Sequence, residues 1–221
     1  KIYFHGGALN GSFVLTNTMD IYDTRTNQWS TGAASQSDRY DHEAVAYNGK
    51  IYIFGGISAF NGGSFLNIEV YDIESDSWTA LENQEVSRRG ASATLIDGFV
   101  YLLGGFGDIA EQVMPNTVNI FDMDTQTFLP PENMSGLQRA SHAAVTHNGR
   151  IYVYGGSLSN GGSATNKLER YTPIPNDKAL VSFSRPSASI IEGEWSLSVN
   201  VSLSSTAAGD ETVDYIISNG S

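Results

Sequence analysis

A glycine pair that returns at a fixed interval constrains this chain more than any other feature. Ile51-Tyr52-Ile53-Phe54 runs directly into Gly55-Gly56. The same shape stands at Ile2-Tyr3-Phe4-His5-Gly6-Gly7, at Val100-Tyr101-Leu102-Leu103-Gly104-Gly105 and at Ile151-Tyr152-Val153-Tyr154-Gly155-Gly156. The first glycines of successive pairs are separated by 49, 49 and 51 residues. A period near 50 marks an array of similar units, and each residue has to be read as one copy of a repeated position.

The unit has an internal grammar. Glu43 to Tyr47 is a short β-prone run, Asn48-Gly49 is a two-residue turn that accepts positive φ at both positions, and Lys50 to Phe54 is the returning strand. Leu66 to Tyr71 forms a third strand, Asp72 to Asp76 a turn, and Trp78 sits on a fourth. Asp97-Gly98 and Asn148-Gly149 repeat the hairpin turn. Tyr22-Asp23, Tyr71-Asp72 and Phe121-Asp122 repeat the end of the third strand, and seven residues after each aromatic comes Trp29, Trp78 or Phe128. Arg39, Arg88 and Arg139 each precede a first glycine by 16 residues.

A sheet of four short antiparallel strands cannot bury both faces alone. Radial stacking of such sheets does so and gives a β-propeller. The glycine pair then suits the crowded region near the axis. The aromatics suit the joints between blades, where each buries roughly 150–250 Å². The expected fold class is all-β: about four propeller blades in an incomplete ring over residues 1–172, a linker at 173–179, and a partial β-sandwich over 180–221. The first unit starts at its second strand and the fourth breaks off at Thr172-Pro173 after its third.

The pattern of arginine, glycine pair, Tyr-Asp and Trp resembles kelch repeats. His5 and Phe128 are its modest departures. The resemblance implies a ring of six or seven blades, of which 1–172 would be the C-terminal half. A closed four-bladed ring is the alternative, and it would leave exposed strand edges at an open seam. Residues 180–221 resemble the opening of a Calx-beta domain. The shared features are Val181-x-Phe183, Ile191-Glu192-Gly193, the strict alternation from Leu197 to Leu203, and Thr212-Val213-x-Tyr215 before Ser218-Asn219-Gly220.

Net charge is -12 at pH 7, which argues against nucleic acid and against anionic membrane surfaces. The chain has no cysteine, so disulfides, thiolate catalysis and cysteine-ligated zinc are excluded. That absence also excludes the chemistry of kelch-type galactose oxidases, which need a cysteine crosslinked to a tyrosine.

The candidate ligand-binding residues are Arg39, Arg88 and Arg139. Kelch domains that bind peptides or sugars use arginines near this position, and a guanidinium suits carboxylates. The competing reading makes them framework residues bonded to neighbouring backbone. His42 and His142 occupy equivalent repeat positions and read as structural, and His147, beside a hairpin turn, as solvated. Glu43 and Glu111 are candidate acid–base groups should the propeller be a carbohydrate-acting enzyme similar to sialic acid mutarotases. The Calx-beta resemblance implies calcium as cofactor, with Glu192 as one of its ligands, and oxygen ligands from elsewhere completing the set. Taken together, these resemblances imply a secreted or cell-surface module. Its propeller would bind a protein or carbohydrate partner, and its tail would act as a spacer or calcium-stiffened stalk. An intracellular kelch adaptor is the reading that the tail disfavours.

Overall fold

The computed structural model describes residues 1–9, 14–58, 65–82, 84, 86–107, 113–134, 136, 138–158 and 162–173, together with the backbone of 181–183 and 201–203. Every regular element among them is a β-strand. The chain divides into two compact units, Lys1–Thr172 and Pro173–Ser221.

Among the described residues unit 1 holds four antiparallel sheets of three or more strands in chain order, here called blades 1 to 4, and a two-stranded ribbon, Ala8–Leu9 with Val14–Leu15. Blade 2 has the complete pattern: Tyr40–Tyr47, Lys50–Ile57, Ile68–Asp72 and Ser77–Leu81, each strand paired with the next. Blade 3 repeats it with Ser92–Ile96, Phe99–Leu103, Thr117–Asp122 and Thr127–Phe128, and adds Glu132–Asn133 beside its third strand. Blade 1 consists of Ile2–His5, Met19–Asp23 and Gln28–Gly32, which match strands two to four. Blade 4 consists of Ala143–His147, Arg150–Tyr154 and Leu168–Tyr171, which match strands one to three.

The Tyr-Asp motif has a local cause. Asp23 Oδ1 accepts from the backbone N–H of Arg25 and Thr26, Asp72 Oδ1 from Glu74 and Ser75, and Asp122 Oδ1 from Asp124 and Thr125. The carboxylate caps the turn that sends the chain into the fourth strand.

Side chains alternate across a strand, so each blade has a leading face toward the preceding blade and a trailing face toward the next. Met19 and Ile21 on the trailing face of blade 1 pack on Ile51, Ile53 and Tyr71 on the leading face of blade 2. Tyr52, Phe54, Ile68 and Val70 then meet Val100, Leu102 and Phe121 of blade 3. Tyr101, Leu103, Val118 and Ile120 meet Ile151, Val153 and Tyr171 of blade 4. One joint is thus made three times. Trp78 buries its ring at the first joint and donates Nε1–H to the Ala33 carbonyl at 2.7 Å.

Trp29 holds the position in blade 1 that Trp78 holds in blade 2. It is 62% exposed, because the leading face of blade 1 has no blade against it among the described residues.

The glycine pairs sit where consecutive blades come closest. The N–H groups of Gly7, Gly56 and Gly105 donate across the three joints to the carbonyls of Arg39, Arg88 and Arg139, each at 2.8 Å. A Cβ on Gly55 would lie 1.9 Å from the Arg88 carbonyl oxygen, whereas at Gly155 the nearest atom would be 3.6 Å away. The first position tolerates no side chain; the second has no blade packed against it among the described residues.

In the second unit, Val181–Phe183 pairs antiparallel with Val201–Leu203.

Candidate functional site

The three repeat arginines end in two different environments. Arg39 is 0% exposed. Its Nη2 donates to Glu69 Oε2 at 2.6 Å and its Nη1 to the Gly55 carbonyl at 2.9 Å. Glu69 is equally buried, and its Oε1 accepts the backbone N–H of Gln36 and Ser37 at 2.9 and 3.1 Å. Burying two charges is costly unless nearly every donor and acceptor is satisfied, and this pair comes close to that state. The Arg39 guanidinium also lies 3.9 Å from the centre of the Phe65 ring.

Blade 4 repeats the arrangement. Arg139, 1% exposed, pairs with Glu169 and donates to the carbonyls of Gly155, Lys167 and Gly136. Arg39 and Arg139 therefore occupy the framework position, inside the blade and without exposed donors.

Blade 3 breaks the pattern. The register places Glu69 opposite Ile53, Glu169 opposite Val153 and Asn119 opposite Leu102, all equivalent positions. Asn119 has no charge to offer. Arg88 Nη2 donates to the side-chain oxygens of Thr117 and Asn119, and among the described residues Nη1 has no hydrogen-bond partner. Burial with no neighbouring carboxylate pulls the Arg88 guanidinium down to about 10, still a cation at neutral pH. Ser87 Oγ and the Nε of Arg88 and Arg89 are buried without partners; the Nε of Arg39 and Arg139 share that state, so what sets Arg88 apart is the missing acid. The Arg89 guanidinium lies over Phe106 at 4.3 Å, and Arg89 and Phe106 exchange backbone hydrogen bonds. Ser87, Arg88, Arg89 and Phe106 therefore gather unanswered donors and one aromatic face where the lead-in to the first strand meets the glycine pair of blade 3. Chemically, that cluster suits a carboxylate.

The histidines are arranged in a way sequence spacing concealed. His5 Nδ1 lies 3.3 Å from His42 Nε2, and His5 Nε2 lies 2.8 Å from Ser35 Oγ. Burial, and then nearby positive charge, pushes His5 down to about 3 and His42 and His142 to about 4. All three are neutral core groups at pH 7. His147 is exposed. Among the described residues no three of His, Cys, Asp and Glu cluster to hold a metal.

Glu43 is pushed up to about 7, chiefly by burial, against a hydrogen bond from the backbone of Ala93. Glu111 and Glu192 lie outside the described residues. No helix among the described residues is long and apolar enough to cross a membrane.

Antiparallel blades that follow one four-strand pattern, joined by one repeated interface and carrying an arginine 16 residues before each of the last three glycine pairs, define a kelch-type propeller module. The comparison with family descriptions agrees: "KLHDC2/KLHL20/DRC7 Kelch-repeats domain" matches residues 1–176. The chain belongs to this family of kelch-repeat domains. No curated protein matches the chain.

Proposed function

We propose that unit 1 is a protein-binding module that captures a carboxylate-bearing segment of its partner at Arg88. A kelch-repeat domain suggests a binding or scaffold role, and loops and strand ends are where such modules recognise partners. The observation that carries the reading is the substitution of Asn119 for the acid that neutralises Arg39 and Arg139 in the neighbouring blades. An unpaired, half-buried guanidinium costs stability, and a ligand carboxylate would offset that cost. The test is a binding screen of the full chain against peptides rich in Asp and Glu, with Gln and Asn versions as controls. Binding to the acidic set, lost in Arg88→Met, supports the reading. Equal binding of neutral peptides, or full retention in Arg88→Met, contradicts it.

A second reading, catalysis on a carboxylated sugar, draws on Glu43, whose elevated value suits proton transfer near neutral pH. Turnover on a sugar hit, lost in Glu43→Gln, would favour it; binding without turnover favours the module. We also propose a secreted or cell-surface setting, with calcium bound through Glu192 in the second unit. The Calx-beta resemblance supports both. A calcium-dependent thermal shift of the full chain, lost in Glu192→Gln, is the expected result; no shift would count against it.

A further inference from the structure

The two ends of unit 1 differ in what their connections expose. Antiparallel order carries each first strand away from the repeat arginine and each second strand back to it. The connections between second and third strands therefore lie at the arginine end, and the hairpin and third-to-fourth turns lie at the other. At the arginine end, that connection exposes a large aliphatic side chain in every blade. These are Val14 at 57%, Leu66 at 51%, Val113 at 53% and Leu158 at 51%. At the other end the described turns expose one large apolar side chain, Ile73, at 36%, and gather the capping carboxylates Asp23, Asp72 and Asp122.

Leu66 and Val113 are tied to Arg88 through the backbone. Phe65 donates its N–H to the Gly56 carbonyl at 3.3 Å, and Gly56 donates to the Arg88 carbonyl at 2.8 Å. The Leu66 carbonyl takes the N–H of Gln84 at 3.0 Å, on the lead-in to Arg88. On the other side, Gly107 donates to the Val113 carbonyl at 2.9 Å, and Arg88 Nη1 comes within 3.7 Å of where a Cβ on Gly107 would stand. Blades 2 and 3 each have a blade packed on both faces, so neither Leu66 nor Val113 owes its exposure to a missing neighbour. At Arg88 itself, Nη2 serves Thr117 and Asn119 and Nε is buried, whereas Nη1 is neither bonded among the described residues nor buried. An open donor is thus flanked by two open aliphatic side chains. Scattered surface aliphatics need no explanation; one at the same connection in every blade, beside an arginine that lacks its acid, marks an interaction surface.

We infer that the ligand at Arg88 is an extended segment of a partner protein in which apolar side chains flank an acidic one. This rests on Arg88 as the carboxylate-capturing group and adds what surrounds the carboxylate. Charge complementarity fixes the centre, where Nη1 takes the carboxylate. An extended backbone turns alternate residues to one face, so the apolar residues stand two positions to either side of the acid and cover Leu66 and Val113. That cover contributes affinity in proportion to the apolar area buried. It also keeps water from the ion pair, which strengthens it. A carboxylated sugar has no apolar side chains to place there, so the flanks separate a peptide from a sugar.

Calorimetric titration of the full chain with three synthetic peptides tests this. The first carries Leu two positions to either side of a central Glu, the second has Ser in place of Leu, and the third has Gln in place of Glu. The expected result is that the first binds at least about tenfold more tightly than the second, and that the third binds more weakly than the first. The double variant Leu66→Ser with Val113→Ser should cut the preference for the first peptide over the second below about threefold. Both side chains are half-exposed, so the fold survives, which circular dichroism checks. Equal binding of the two Glu peptides by the wild-type chain overturns the inference and leaves the reading of Arg88 standing. A preference undiminished in the double variant overturns it too, since the apolar contacts then lie elsewhere. Binding of the first peptide that persists in Arg88→Met, or no binding of either Glu peptide, brings down the reading of Arg88 and this inference with it.

Discussion

Blades 2 and 3 are two versions of one design, and they differ at a single decisive position. Blade 2 closes its buried arginine with a carboxylate and gives that carboxylate two further backbone donors. Blade 3 holds an arginine at the same repeat position and meets it with an amide and a hydroxyl. In both blades the backbone carbonyl at this position receives a glycine N–H of the preceding blade across the joint, so the backbone there is held the same way whatever the side chain meets. The acid is needed only where the guanidinium is to be silent. The comparison teaches that in a repeat array the place to look for a binding group is where the framework partner is missing, since the backbone around it is fixed by its neighbours.

The largest effect should come from breaking the complete version. Glu69→Gln leaves Arg39 as a buried cation with no counter-charge, and removing one partner of such a pair costs about 3–5 kcal/mol. Denaturant unfolding should show that loss, while Arg88→Met costs less, about 1–3 kcal/mol, because it orphans only the neutral side-chain oxygens of Thr117 and Asn119. A smaller loss at Glu69 than at Arg88 would erase the distinction between the blades.

A second effect is a two-sided pH dependence. His5, His42 and His142 fall from an ordinary 6.5 to about 3, 4 and 4 in the fold. The unfolded chain therefore binds more protons below about 6.5, and stability falls as pH drops through that range. Glu43 has the opposite sign. Its folded value rises from 4.5 to about 7, so the native state binds the extra proton between these values, and stability falls as pH rises. The three histidines outweigh the one carboxyl where the windows overlap, so thermal unfolding from pH 4 to 8 should show a maximum near the ordinary histidine value of 6.5. Glu43→Gln should flatten the alkaline limb and steepen the acid limb, because the Glu43 window opposes that of the histidines where the two overlap; an unaltered alkaline limb would remove Glu43 from this account.

Much of this was legible in the sequence, and the remainder was not, for identifiable reasons. The glycine pairs, the hairpin turns and the Tyr-Asp turns are local, so each copy reports itself and the period confirms the set. Arg39 with Glu69, and Arg139 with Glu169, lie 30 residues apart in both blades, so a repeated spacing was present as a signal. It went unread because the partners sit on different strands, and only the register brings them to one face. The meeting of His5 with His42 depends on the trailing face of one blade packing on the next, which no spacing within a unit reveals. Trp29 matched the interblade pattern and is nonetheless exposed, since a repeat position defines what a side chain is suited to meet but not whether it is met. The alternating strand from Leu197 to Leu203 is described only at Val201–Leu203, paired with Val181–Phe183.

The smallest perturbation is also the most direct. Asn119→Glu installs in blade 3 the acid that blade 2 already has, within reach of a guanidinium that now bonds Asn119 itself. Calorimetric titration of the variant with an acidic peptide that binds the wild-type chain should show affinity reduced at least about tenfold, a difference of about 1.4 kcal/mol. Unchanged affinity would mean that Arg88 is as much a framework residue as Arg39, and that the ligand is held elsewhere.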